Sequence, residues 1–437
     1  MIGEREPIVA LTPLPLRCTQ CDERYSGRPQ AICASCLAPL EPVYADDRSL
    51  PTREEIVARP RTIWRYREWL PFAGTAIHAT ETGWTPLIEV PRLARQLGVR
   101  SLYLKVDAWS APTQSFKDRV VATAINAAHA FGLSAIGCAS TGNLANAVAA
   151  AAARAGIPAW IFVPDSLETA KLVAAAIYRP HLVRVRGTYD DVNRLCAQLA
   201  ERLEWGLVNV NLRAYYGEGS KSMAFEIAEQ LGWRAPDAIV APMAGGSLIT
   251  KLDKGFREFA DAGLIAHHRP RLYGGQAEGC APIVRLFQRN DGAIVPEIPS
   301  TIAKSLAIGN PADGVAAARL LRASGGGAHA VTDTAIVHGI ATLAATSGVF
   351  GETAAGVTVA TALQLAERGA LRESDEVVLC ITGHGLKTVD AVASALDDAP
   401  VIEPKVRAVA DLLRTFSNST AASTSRDEPT TLAPIPA

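Results

Sequence analysis

The sequence predicts an α/β protein with mainly parallel sheets, and three observations carry that expectation. From about residue 100 onward, short β-branched or aliphatic runs alternate with longer Ala/Leu-rich helical stretches. Several of these runs lead into a helical stretch through a loop of small residues, and in such folds ligands gather beyond the carboxyl ends of the strands. The chain has 437 residues, 49% hydrophobic and 20% charged, which is enough for about two to three domains and a large core.

Residues 1 to about 45 form a cysteine module. Cys18, Cys21, Cys33 and Cys36 make C-x2-C, an eleven-residue gap and a second C-x2-C. Each pair can turn two thiolates toward one point, and four thiolates satisfy a structural zinc ion with no position left for water. Tyr25, Gly27 and Pro29 supply turns for a compact ribbon. A site that has lost its metal and a set of redox thiols are the other readings of these cysteines. Cys138, Cys196, Cys280 and Cys380 lie scattered among apolar residues and read as inert core. Residues 48–80 place Trp64, Tyr66 and Trp69 at a spacing that suits an amphipathic helix lying on a larger body. Strands are expected at 102–106, 135–138, 159–163, 182–186, 207–210, 237–241, 271–276 and 376–381. Residues 416–437 are rich in Ser, Thr and Pro, have little to bury, and read as a disordered tail.

Composition narrows the function. Lys and Arg number 43 against 44 Asp and Glu, so no basic excess points to nucleic acid or to an anionic membrane as partner. The first residues mix glutamates and prolines with a short apolar run, unlike a signal peptide. No stretch reaches the roughly 18 apolar residues of a membrane span. A cytoplasmic protein is expected.

Four strand-end loops could carry chemistry, while GxGxxG, G-x4-GK[ST], HExxH and GxSxG are absent. In APTQSFKDR (111–119), Ser115 and Asp118 resemble a capping box that puts Lys117 in the first turn of a helix. There the positive end of the helix dipole and partial desolvation favour the neutral amine a Schiff base requires; a surface lysine is the plainer reading. In the next loop, Ser140, Thr141 and Asn143 place hydroxyls and an amide at a helix start, where they can cap it or hold an anion. Ala244, Gly245, Gly246, Ser247 and Leu248 follow a strand, and their backbone N–H groups can cradle a phosphate or form a tight turn. In ITGHGLK (381–387), Thr382 can offer a hydroxyl to a heteroaromatic nitrogen or sit in an ordinary turn. Together the loops supply an amine for an aldehyde, an amide for a phenolic oxygen, a cradle for a phosphate and a hydroxyl for a ring nitrogen. That set fits pyridoxal 5'-phosphate.

The chain resembles the threonine synthase family, in the second fold type of pyridoxal-phosphate enzymes, from about residue 18 to 395. The resemblance is carried by TGWTPL (82–87), APTQSFKDR, ASTGNLANAVAA (139–150), GEGSKSMAFEIAEQLGW (217–233), APMAGGSLITK (241–251), GGQAEGCAPI (274–283), TIAKSLAIGNPADG (301–314) and ITGHGLK. It implies two interleaved α/β domains over 46–415, the smaller at about 130–210, with the cofactor between them, and a homodimer. On matching positions, Lys117 would carry the cofactor covalently and Asn143 would meet its ring hydroxyl. Residues 244–248 would hold its phosphate and Thr382 would meet its ring nitrogen. A hydroxyl at that nitrogen does not enforce its protonation, and the milder electron sink suits elimination. The implied reaction takes O-phospho-L-homoserine and water to L-threonine and phosphate.

The sequence departs from the family where the substrate phosphate is held. Leu144 replaces a threonine, the glycine loop differs, and NLRAYYGEGSKS (211–222) replaces N-P-x-R-I-E-G-Q-K-T. Arg213, Ser220 and Lys221 are candidates for that anion, beside Ser140 and Thr141, because a dianionic leaving group needs fixed cationic partners. The competing expectations are a serine/threonine dehydratase, a cysteate synthase-like enzyme acting on phosphoserine, and a non-catalytic protein that uses its ribbon for contacts.

Overall fold

Aliphatic runs with little polar interruption make strands that can be buried on both faces, and here they assemble into two sheets. The computed structural model describes residues 11–423 apart from Thr141, Ser166, Glu168, Ser394, Asp397 and Asp398. In chain order the strands are β1 (Thr12–Pro13), β2 (Leu16–Cys18), β3 (Arg24–Tyr25), β4 (Leu40–Pro42), β5 (Phe72–Ala73), β6 (Leu87–Glu89), β7 (Ser101–Val106) and β8 (Ala135–Ala139). They continue with β9 (Ala159–Pro164), β10 (His181–Val185), β11 (Trp205–Leu207), β12 (Ala238–Pro242), β13 (Arg271–Ala277), β14 (Gly327–Val331) and β15 (Glu376–Ile381).

The larger sheet has the order β14-β13-β12-β15-β7-β6, parallel except for β6 at its edge. The smaller sheet, β10-β9-β8-β11, is wholly parallel. All four of its strands lie between β7 and β12 in sequence. In the larger sheet those two strands are separated only by β15, which pairs Val377 with Leu102 on one side and with Ala238 on the other. Every residue of β12 and β15 is buried. The Ala-rich helix Asn143–Ala155 packs closely against its sheet because its buried side chains are mostly no larger than a methyl group, and it ends on Gly156 at φ 69°. Among the described residues no helix is long and apolar enough to cross a membrane.

Four local expectations are corrected. Residues 48–80 form two short helices, Arg53–Ala58 and the 3-10 helix Ile63–Trp69, because Pro60 interrupts the run. Tyr66 and Trp69 are nevertheless fully buried, against Phe225 and Phe259. The strand expected at 207–210 is Trp205–Leu207, since Leu207 already accepts from Val210 in a turn. The strands β6 and β14 were not expected; β14, GAHAV, has a single β-branched residue. Finally, the helix Val406–Ser423 runs into the tail expected to be disordered from 416, and 424–437 lie outside the described residues.

The described residues through Val392 form one compact unit and those from Ala393 a second. Within the first, β2, β3 and β4 make a small antiparallel sheet that carries the cysteines, and β1 pairs with β5.

Candidate active site

Lys117 is the first residue of the helix Lys117–Ala130, as the sequence implies, but the expected capping box does not form. The residue before the helix, Phe116, has no side chain that could cap it, and the Ser115 hydroxyl makes no hydrogen bond among the described residues. Asp118 instead accepts from Thr113 N at 3.1 Å, Thr113 Oγ1 at 2.5 Å and Ser115 N at 3.4 Å, which ties down the preceding loop. Burial pushes the Asp118 carboxyl up to about 6 despite these donors. Phe116 N donates to Thr382 O at 2.8 Å and Ser115 bridges Gly383, so the loops after β7 and β15 form one ledge. Lys117 Nζ donates to the Tyr216 hydroxyl at 3.2 Å and lies 5.8 Å from that ring's centre.

After β8, Ser140 Oγ accepts from Gly142 N at 3.0 Å and Ala145 N at 2.9 Å, and so caps the helix that Asn143 opens. Thr141 lies outside the described residues. Asn143 Nδ2 donates to both carboxylate oxygens of Glu352, and its Oδ1 accepts from Lys387 Nζ. Lys387 also donates to Thr113 O, and burial depresses its ammonium. A Cβ on Gly383 would lie 2.2 Å from Glu352 Oε1, so a larger residue there would push this carboxylate away from Asn143.

After β12, Ala244 to Gly246 lead into the helix Ser247–Asp261. Gly246 adopts φ 92°, and a Cβ on it would meet Asp313 O at 3.0 Å. A Cβ on Gly245 would have no heavy atom within 4 Å, so the loop presents an open concave backbone. The first-turn amides of the helix have no partner within the helix and are suited to an anion.

These parts line one cavity of about 280 Å³. It contains Lys117, Asn143, Thr382 and the whole stretch from Ala244 to Leu248. Of the substrate candidates, Ser140, Arg213 and Ser220 line it as well. Lys221 does not, which corrects the sequence expectation. Its side chain is wholly buried, 2.7 Å from Glu218 Oε2 and 2.7 Å from Glu258 Oε2, with the Tyr44 hydroxyl at 3.1 Å. An ammonium already matched by two carboxylates in the interior has no capacity for a substrate anion.

The cavity suits pyridoxal phosphate on its own chemistry: an amine, an open glycine cradle and a hydroxyl face one space. A family model described as "Pyridoxal-phosphate dependent enzyme" matches residues 79–383. The chain belongs to this family of pyridoxal-phosphate-dependent enzymes. It is 34% identical over 404 residues to a threonine synthase of Methanocaldococcus jannaschii, covering 91% of this chain and 99% of the relative. To a threonine synthase of Methanosarcina acetivorans it is 34% identical over 402 residues, covering 91% and 98%. A solved fungal L-serine ammonia-lyase from Rhizomucor miehei superposes with a TM-score of 0.62 at 21% identity, over 72% of this chain and 97% of that one. This last likeness shows the fold alone, that of fold type II.

Sequence reasoning overlooked several groups in this pyridoxal-phosphate enzyme's cavity. Tyr216 sits in the NLRAYYGEGSKS stretch, but nothing there tells which of two adjacent tyrosines faces Lys117. Glu352 precedes a helix and reads as an ordinary terminal residue. Asp313 lies in a motif quoted above and pairs with Arg213 at 2.5 Å. Asn209, which donates to Tyr189 Oη at 3.2 Å and Asn193 Oδ1 at 3.1 Å, joins the wall with both.

Away from the cavity, the sulfurs of Cys18, Cys21, Cys33 and Cys36 all lie within 4.8 Å of one another. Individual separations are 3.3 Å for Cys18–Cys36 and 3.5 Å for Cys21–Cys33. Four thiol ligands gathered this closely suit tetrahedral zinc, whose Zn–S bonds of about 2.3 Å place sulfurs slightly under 4 Å apart.

Proposed function

We propose that the chain is a threonine synthase, converting O-phospho-L-homoserine and water to L-threonine and phosphate. The observation that carries this reading is the presence of Arg213 in the same cavity as Lys117 and the glycine loop, a cation where a dianionic leaving group needs one. The threonine synthase relatives, aligned over nearly the whole chain, support it.

Pyridoxal phosphate, when bound, supplies an aldehyde that captures an amine and a conjugated ring that withdraws electrons from the amino-acid skeleton. In this reading Lys117 carries the cofactor, the backbone of 244–248 holds its phosphate, Asn143 meets its ring hydroxyl and Thr382 its ring nitrogen. Once released by substrate, Lys117 Nζ would take protons from Cα and Cβ, deliver one to Cγ after phosphate has left so that Cγ becomes the methyl group, and return one to Cα at the end. Tyr216 holds that amine in place through its hydroxyl. Phosphate leaves from Cγ toward Arg213 and Ser220, and water adds at Cβ. The two sheets close over the cavity to keep water out until that step.

The four cysteines hold a structural zinc ion in this reading, and the enzyme works as a cytoplasmic homodimer. The deciding experiment is parallel incubation of the cofactor-loaded protein with phosphohomoserine, phosphoserine, threonine and serine, with product identification. Threonine and phosphate formed from phosphohomoserine support the reading. Ammonia release from threonine or serine without phosphohomoserine turnover refutes it in favour of a dehydratase.

A further inference from the structure

The ion pair between Arg213 and Asp313 bears on how a phosphorylated substrate is selected, and the inference drawn from it rests on the function proposed above. Arg213 opens the helix Arg213–Glu218, which follows the smaller sheet, and Asp313 immediately precedes the helix Gly314–Ala323. Both line the cavity, and Arg213 Nη2 lies 2.5 Å from Asp313 Oδ1. The side chains are 26% and 20% exposed, so the pair is reachable from the cavity yet partly shielded from water.

Aspartate is a favoured helix cap, but the Asp313 carboxylate makes no capping hydrogen bond. It is committed to the guanidinium instead. The main chain of Asp313 is fixed to the glycine loop: its N–H donates to Gly245 O at 3.0 Å, and its carbonyl packs so closely on Gly246 that a Cβ there would meet it at 3.0 Å. Asp313 therefore stands on the loop suited to the cofactor phosphate and holds Arg213, which among the described residues is the one arginine lining the cavity.

We propose that Asp313 is an internal stand-in for the substrate's phosphate, and that binding is an exchange in which the phosphate displaces this carboxylate from Arg213. A guanidinium forms its strongest hydrogen bonds with a planar fork of anionic oxygens, and a phosphate dianion brings more charge and a third oxygen. A substrate lacking phosphate offers Arg213 nothing and leaves the pair intact. The carboxylate thus keeps Arg213 neutralised when the cavity is empty and sets an affinity cost that every phosphorylated substrate must meet. Removing that competitor lowers the cost, because less of the protein is held in a state closed to the anion.

The test compares cofactor-loaded wild type with Asp313→Asn, Asp313→Glu, Arg213→Gln and the Asn/Gln double variant. KM for phosphohomoserine is measured, together with the Kd for inorganic phosphate by calorimetry at fixed ionic strength. Asp313→Asn is expected to lower both constants by about 3- to 10-fold, and Asp313→Glu to stay within about twofold of wild type. Arg213→Gln is expected to raise both by about tenfold or more, and in its background Asp313→Asn is expected to change neither. Unchanged or weaker phosphate binding in a folded Asp313→Asn protein overturns the exchange, as does an effect that persists without Arg213. If Asp313→Asn does not fold, Asp313→Ser, which can still cap the following helix, is read by the same criteria. Failure of the wild type to release phosphate from phosphohomoserine would sink the threonine synthase reading, while the calorimetry would still decide the exchange.

Discussion

The side-chain nitrogen of Asn143 lies 2.8 and 3.0 Å from the two carboxylate oxygens of Glu352, while its oxygen accepts from Lys387 Nζ at 3.0 Å. An acceptor-only carboxylate on one side and a donor-only ammonium on the other fix which way the amide points. Glu352 is thus a positioning residue for the group proposed to meet the cofactor's ring hydroxyl. Glu352→Ala is expected to reduce kcat by about 10- to 100-fold, with a smaller change in KM. Glu352→Gln, which keeps one acceptor, should recover part of the loss. Steady-state kinetics with the cofactor's visible spectrum check this, and an unchanged kcat and spectrum in the alanine variant would contradict it.

Lys117→Ala is expected to abolish turnover and the cofactor's visible absorption band, while circular dichroism and melting temperature stay near wild type. The side chain is only partly buried and donates to the neutral Tyr216 hydroxyl, so truncation leaves no uncompensated interior charge. A variant with a near-normal rate would remove Lys117 from the mechanism.

Glu226 links this helix to the larger sheet. It pairs with Arg119 at 2.5 Å and Lys105 at 2.7 Å, and accepts from Trp84 N at 2.7 Å, with all three charged side chains fully buried. Burial pushes its carboxyl up, but Arg119 and then Lys105 outweigh this and hold it at about 2, below its ordinary 4.5. A depressed carboxyl contributes stability above the unfolded value and loses it as the group is protonated in the folded state. The contribution is therefore complete above about pH 4.5 and fades by about 3 kcal/mol as pH falls toward 2. Glu226→Gln should cost about 3–5 kcal/mol at pH 7, with a smaller difference from wild type at pH 3. Urea midpoints at the two pH values check the sign.

Lys221→Met is expected to cost about 3 kcal/mol or more of stability, because Glu258 would lose its buried cation and Glu218 one of three. KM for phosphohomoserine should move by less than about twofold. A tenfold rise in KM without loss of stability would return Lys221 to the substrate site.

Chelation, or Cys21→Ser, is expected to lower stability by several kcal/mol while kcat per folded enzyme stays within a few-fold of wild type. Elemental analysis should give about one zinc per chain. Full stability after complete metal removal would argue against a structural ion.

The legible parts of the fold were those with a one-dimensional signature. β7, β12 and β15 are apolar runs, and the loops beyond them announce themselves by small residues. Asn143, Gly245 and Thr382, which line the cavity, could be picked out for that reason, each lying within four residues of a strand end, and Lys117 because it opens the helix that follows the β7 loop. Other features depend on facing rather than spacing. Lys221 and Arg213 look alike in sequence, and only the fold shows that one points into an acidic interior and the other into the cavity. Glu352 and Lys387 matter through contacts with Asn143, more than 200 positions away, and no local pattern records such a contact. β14 escaped because its pairing with β13, rather than its own propensity, makes it a strand.

The constellation is divided between the sheets: Lys117, the glycine loop and Thr382 follow strands of the six-stranded sheet, while Ser140 and Asn143 follow the four-stranded sheet nested between β7 and β12. Excising that nested stretch would keep the amine and lose the amide, and it would also remove Ile136, Ile161 and Val163 from a core they share with Ile239 and Val378. Engineering or recombination that exchanges one sheet between relatives therefore has to preserve a seam, and a transferable unit of this chemistry has to run from β7, which carries the Lys117 loop and pairs with β15, to Lys387.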